Sequence, residues 1–277
     1  MAAASFHARS NSLPARSHPL VSEIDEQVCR LRQSQAASTS SSSIGHTLNS
    51  LQVVYDCVDQ LFQLPTTQQA LINDQKCFNE LLDESLRILD LCNTGKDALS
   101  QMKESVAELQ SAIRRRQGGV EGETRRYLKS RKTVIKAIQK VLKAMENKKS
   151  TSSNNVETVS MLKEAESAVV EVLECLLAFI SQTSSKPSSW SLFKRVAAAS
   201  SENEFADVDA SLKTNKSVEE NEFAEVDASL KMNKSSEEIQ LCLKNLQPCI
   251  QDLEEGVESL FRRLIKTRAS ILNIHNL

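Results

Sequence analysis

The sequence predicts an all-α protein, an antiparallel bundle of long helices behind a disordered N-terminal tail. Three observations carry this. The 277 residues include only 6 Gly and 5 Pro, so turn punctuation is sparse. Aromatic residues make up 4%, and Leu, Glu, Lys, Gln, Ser and Ala, mostly good helix formers, dominate. Apolar residues recur at steps of three and four over long stretches, the helical period. With 40% hydrophobic residues the chain can bury a sizeable core.

Residues 1–19 lack periodicity, carry Pro14 and Pro19, and read as the disordered tail. Residues 20–45 read as a short helix followed by a Ser-rich linker, with Ile24, Val28 and Leu31 on one face and "ASTSSSS" at 37–43. Residues 46–277 form the bundle domain. Its first helix places Leu51, Tyr55, Val58 and Phe62 on one stripe and stops at Pro65. The next runs from about Thr67 to Cys92 and is punctuated by Gly95; a third, about Lys96–Arg116, closes at Gly118–Gly119. A helix over about Glu123–Glu146 repeats Leu128, Ile135 and Leu142 at sevens, and another over about Val156–Ser181 holds the most apolar run, "AVVEVLECLLAFI". A short amphipathic piece at Trp190–Ala199 should pack onto the bundle. The last unit, about Ser236–Leu277, is kinked or split by Pro248. Six to eight helices with short breaks can hide their stripes only against one another, which selects a bundle.

A tandem 18-residue repeat occupies 201–236, its two copies agreeing at 14 of 18 positions. Eighteen residues make five helical turns, so the duplication leaves downstream residues on their original face. Each copy has a short stripe, Phe205, Val208 and Leu212, then Phe223, Val226 and Leu230. Segments this short are marginal as isolated helices. The insert therefore reads as a peripheral helix or partly ordered loop outside the core, the sharper alternative being a duplicated ligand site.

The residues offer no catalytic constellation. The four His (7, 18, 46, 275) have no ligand partner at metal spacing, and no phosphate-cradling Gly loop or nucleophile elbow occurs. Neither catalytic, cofactor-binding nor metal-ligating residues are assigned, and a non-enzymatic protein is expected. Seven Cys without CxxC spacing read as thiols in a reducing compartment. No run is apolar enough for a transmembrane helix and no secretory signal is visible, so an intracellular, cytoplasmic protein is expected. A plastid transit peptide is the alternative reading of the acid-free N-terminus.

Two features suggest partners. "RSNSLP" at Arg9–Pro14 has Arg9 three residues before Ser12 and Pro14 two after it. A phosphate on Ser12 would present charge and acceptor oxygens to an Arg cluster, the chemistry of 14-3-3 binding. Charge is also segregated, although the net charge is −2: residues 114–149 hold 13 basic and 3 acidic side chains, residues 201–238 hold 4 and 11. Lys129, Lys132, Lys136, Lys140 and Lys143 step by three and four along one helix. With "RRR" at Arg114–Arg116 this stripe is a candidate face for an anionic partner, lipid or nucleic acid, the plainer alternative being a solvated face paired with the acidic insert. Tyr127 is its lone aromatic, which argues against nucleic acid.

Together "RSNSLPARSHP", "LFQLPTTQQAL", "LLDESLRILDLC", "ALSQMKESVAELQSAIRRR", "YLKSRK" and the ending "LFRRLIKTRASILNI" resemble a plant-specific family without a defined biochemical function, related to the BYPASS-type proteins of root and shoot development. The resemblance implies an α-helical plant protein without known catalytic residues, linked to organ development. The residues and the resemblance together lead us to expect a non-enzymatic interaction or regulatory protein that grips other proteins through helix faces. The alternative is a peripheral membrane protein holding anionic lipid on its basic helix. The family usually carries a single Val-Asp-x-x-Leu segment, so the copy at Val226–Leu230 departs from it.

Overall fold

The computed structural model describes residues 18–37, 40–115, 120–146, 157–182 and 221–275. Among them stand eight α-helices and no strand: α1 Pro19–Ala37, α2 Ser41–Phe62, α3 Pro65–Asn73, α4 Gln75–Arg114, α5 Val120–Glu146, α6 Glu157–Ser181, α7 Glu222–Lys231 and α8 Ser236–His275. The tail motif around Ser12, the Trp190–Ala199 piece and the first copy of the repeat lie outside the described residues.

Cross-helix polar contacts fix the chain directions. Between α4 and α8, Arg268 reaches the Leu82 carbonyl, Lys96 pairs with Glu258, Lys103 with Glu254, and Gln110 Nε2 donates to the Leu243 carbonyl at 3.1 Å. Numbers rise on one helix as they fall on the other, so the two 40-residue helices run antiparallel. Between α4 and α5, Gln101 meets Ser130 and Glu108 meets Arg126, again antiparallel. The bundle architecture expected from the stripes is the one observed.

α6 lies at the centre. Ala168, Val169, Val172, Leu173, Leu176, Leu177, Phe179 and Ile180 are all buried, and α1 to α5 all pack against it. Two of its acids are met from α1, where Arg32 donates to both Glu164 and Glu171. α1 buries Val21, Ile24, Val28 and Leu31 in the same core as the other helices. Ser40 caps α2 by accepting from Ser43 N at 3.2 Å, so Ser41–Ser43 form a helical turn rather than a linker.

Two expected breaks are placed differently. Gly95 does not end a helix; α4 runs through it. The interruption falls at Asp74, whose carboxylate accepts from Cys77 N at 2.9 Å and starts α4 anew. A Cβ at Gly95 would stand 3.4 Å from Leu176 Cδ2, so the helix carries this glycine without a steric need for it. Pro248 does not split α8 either. It removes one N–H from the ladder, and the α8 helix is braced nearby by Gln110 on the Leu243 carbonyl.

The second copy of the repeat is not peripheral. It forms α7, and Phe223 and Val226 are fully buried with Leu230 nearly so. This segment is core, because its stripe is clamped between the end of α6 and α8 instead of standing alone in water.

The glycines give a test of the packing. At Gly256 a Cβ would stand 3.3 Å from Leu48 Cβ, an atom fixed to the α2 backbone. At Gly95 the nearest atom is a side-chain tip at ordinary contact distance. Gly95→Ala should be neutral or stabilising by up to about 1 kcal/mol. Gly256→Ala should fall below it by about 1–3 kcal/mol, read from urea unfolding.

Candidate functional site

α5 divides its basic residues between two environments. Lys129, Lys132, Lys136, Lys140 and Lys143 are all exposed. At 100° per residue they fall within an arc of about 80° and span about 21 Å. The opposite face, Tyr127, Val134, Ile138 and Met145, is buried against α4 and α6. No acidic residue occurs between Thr124 and Met145. Lys129, Lys132, Lys136 and Lys140 form no ion pair among the described residues. The five lysines singled out by their spacing are therefore brought together on one solvent face. Arg9, Ser12 and Pro14 lie outside the described residues.

Arg131, one helical turn beyond Tyr127, points the other way and is 2% exposed. Its Nε donates to Asp227 Oδ2 of α7 at 3.0 Å, and Gln182 Nε2 donates to the same oxygen at 3.1 Å. The guanidinium carbon stands 4.8 Å from the centre of the Phe223 ring, and that ring meets Phe179 edge-on at 5.9 Å. Gln182 takes a left-handed φ of 55°, a strained conformation for a side-chain-bearing residue, where α6 ends. Asn221 joins the same corner. Its side-chain oxygen caps α7 by accepting from Phe223 N and Ala224 N, and its amide donates to the Phe179 carbonyl at 2.8 Å.

The cluster is expensive to bury. Both terminal nitrogens of Arg131, Asp227 Oδ1 and the Tyr127 hydroxyl have no hydrogen-bond partner among the described residues. Burial, with the adjacent Asp227 charge, pushes the Tyr127 phenol far above the usual tyrosine range. Sequence reasoning passed over Arg131 and Asp227. The available signal was periodicity: each occupies an apolar position of its own helix, Arg131 between Tyr127 and Val134, Asp227 between Phe223 and Leu230.

A narrow crevice lies elsewhere, lined by Tyr55, Ser85, Glu166, Thr267 and apolar neighbours, with a volume of about 20 Å³. That is room for about one water molecule, not for an organic substrate. Burial, and secondarily the Glu84 charge, raises the Glu166 carboxyl well above the usual carboxylate range. Among the described residues no group of three or more His, Cys, Asp or Glu is placed to hold a metal ion, and no helix is long and apolar enough to cross a membrane. Burial pushes the thiols of Cys92, Cys175 and Cys249 up to about 12, which suppresses thiolate chemistry there.

These buried groups are open to test. Arg131→Met strands the buried Asp227 carboxylate and should destabilise the protein by about 3–5 kcal/mol. The double variant Arg131→Met/Asp227→Leu should recover more than half of that loss in denaturant unfolding. For Glu166 the folded pKa lies above the unfolded one, so its contribution is present below the ordinary carboxylate range and lost as pH rises through the raised value. The gap in Tm between Glu166→Gln and the unaltered protein should therefore widen in the variant's favour from pH 4.5 to pH 8.

Comparison with known proteins agrees with the resemblance in the sequence. No curated protein and no solved structure matches the chain. A family model described as Protein BPS1 does match, over residues 47–274, from the start of the α2 stripe to the last turn of α8. The chain belongs to that family.

Proposed function

We propose that this protein works by binding, as a non-enzymatic regulator of plant organ development that holds an acidic protein surface on the outer face of α5. The observation that carries the reading is the lysine stripe. Five cations share one exposed arc, four of them without an ion pair among the described residues, and no carboxylate interrupts them. A helix whose inner face is already committed to α4 and α6 has no packing reason to concentrate like charge outside. Self-repulsion along such a row is slightly unfavourable, and an acidic partner relieves it. Family membership supports the developmental setting.

The second reading, anionic lipid on the same face, is favoured by the straightness of the stripe, which suits a flat charged surface. The apolar residues of α5 are occupied in the core, so a lipid contact here would be electrostatic and weakened by salt.

Lys132→Glu, Lys136→Glu and Lys140→Glu together should leave thermal unfolding nearly unchanged, because all three side chains are exposed. In plant tissue, proximity labelling with the triple variant should lose a set of acidic neighbours that the unaltered protein marks. An unchanged set overturns the protein-partner reading. Co-sedimentation with phosphatidylserine vesicles that is equal for both proteins removes the lipid reading.

A further inference from the structure

The slot that receives α7 is built for a sequence the chain carries twice. Asn221 caps the helix and ties it to the Phe179 carbonyl, Phe223 fills the space between Phe179 and Arg131, and Asp227 neutralises Arg131. Val226 and Leu230 are buried, and Ser229 Oγ stands 3.4 Å from Cys242 Sγ. Eighteen residues earlier the chain has Asn203, Phe205, Val208, Asp209, Ser211 and Leu212. Every one of these anchors is repeated in kind and in spacing. From Asn221 to Lys231, set against Asn203 to Lys213, the sole difference is Glu225 against Asp207.

We infer that the first copy, residues 203–213, is a second occupant of this slot, and that the two copies exchange in it within one molecule. The exchange does not depend on the α5 lysine face.

The slot discriminates by charge, not by apolar fit alone. Its floor is a guanidinium 2% exposed, and an apolar helix placed there leaves that cation buried without a counter-ion. An occupant needs an Asp four residues after a Phe, which both copies supply. The differences between them fall where little is held. Glu225 accepts a long 3.4 Å contact from Cys242 Sγ, and Met232, replaced by Thr214 in the first copy, is 70% exposed.

Chain connection permits both registers. With the second copy docked, residues 183–220 join α6 to the slot and 232–235 join it to α8. With the first copy docked, the joins are 183–202 and 214–235. The slot entrance is beside the end of α6, where Asn221 meets the Phe179 carbonyl at 2.8 Å, so either first join closes. Loop-closure entropy grows only logarithmically with length, and it favours the second copy roughly fivefold. That margin is small enough for one lost contact to reverse. The exchange changes which acidic segment is held against the bundle, and it lengthens the chain ahead of α8.

Cysteine trapping reads the register directly, because position 229 lies against Cys242. Diamide is the two-electron acceptor that joins the paired thiols. Ser229→Cys should link to Cys242 and serves as the positive control. Ser211→Cys should form the same link within one molecule, at an initial rate roughly fivefold lower. Adding Asp227→Ala should raise that rate several-fold, and adding Asp209→Ala should abolish it. Peptide mapping identifies the bond, and gel mobility separates links within one molecule from links between two. A rate from position 211 no greater than from Lys213→Cys, which would face solvent in the slot as Lys231 does, overturns the inference. So does a link found solely between two molecules.

Discussion

The apolar circumference of α6 is the constraint on which the other elements depend. A helix with one oily stripe needs one neighbour, but a helix buried on most of its sides must be enclosed. α6 meets that need through five helices along its length, α1 to α5. Its last turn, where Phe179 and Ile180 are buried, is closed by α7. Asn221 then satisfies the Phe179 carbonyl, one of the orphan acceptors any helix end leaves behind. α7 holds as a helix because it packs along α8 while closing the end of α6. In isolation its ten residues would be too few to hold helical structure in water.

The two faces of α5 show how position decides what a basic residue does. The lysines are on the outer arc, where water and salt screen them and each interacts weakly with anything nearby. Arg131 is on the inner arc, where the low dielectric magnifies every interaction and every omission. A buried ion pair gives little net stability over a well-packed apolar pair. Its effect is selective: it penalises any arrangement that separates the two charges. The flat guanidinium also stacks on Phe223 while its edge meets Asp227, a combination an ammonium could not reproduce. The same helix thus presents a permissive charged surface outside and an exacting one inside.

The fold class and the long stripes were legible because burial writes a period into sequence. Ile24, Val28, Leu51, Tyr55 and Phe62 sit where their spacing puts them, in the core. The lysine stripe was legible for the same reason in negative, since exposed residues of one helix keep the complementary phase. The misplaced breaks come from local chemistry with two meanings. Gly95 reads as a stop by composition, yet it is carried inside α4 with room for a Cβ beside Leu176. Asp74 reads as an ordinary surface acid, yet it caps α4. The Arg131–Asp227 pair joins residues 96 apart, and no one-dimensional period reports a contact of that range. What could be seen was each half separately, a charge standing in an apolar phase.

Helical phase is not what makes the duplication tolerable. Five integral turns would matter if the repeat extended a single continuous helix, keeping downstream side chains on their former faces. Instead α7 stops at Lys231, and Asn233 turns the chain with a left-handed φ of 49° before α8 begins. Ser235 and Glu238 then restart the ladder with a reciprocal cap, the serine hydroxyl accepting from Glu238 N while the carboxylate accepts from Ser235 N. A helix that is terminated and restarted transmits no phase across the junction. The extra residues are absorbed by a connection, where each doubling of length costs only about 0.6 kcal/mol. Because α8 is nucleated by its own cap, its long seam with α4 keeps the same register whichever residues precede Ser235.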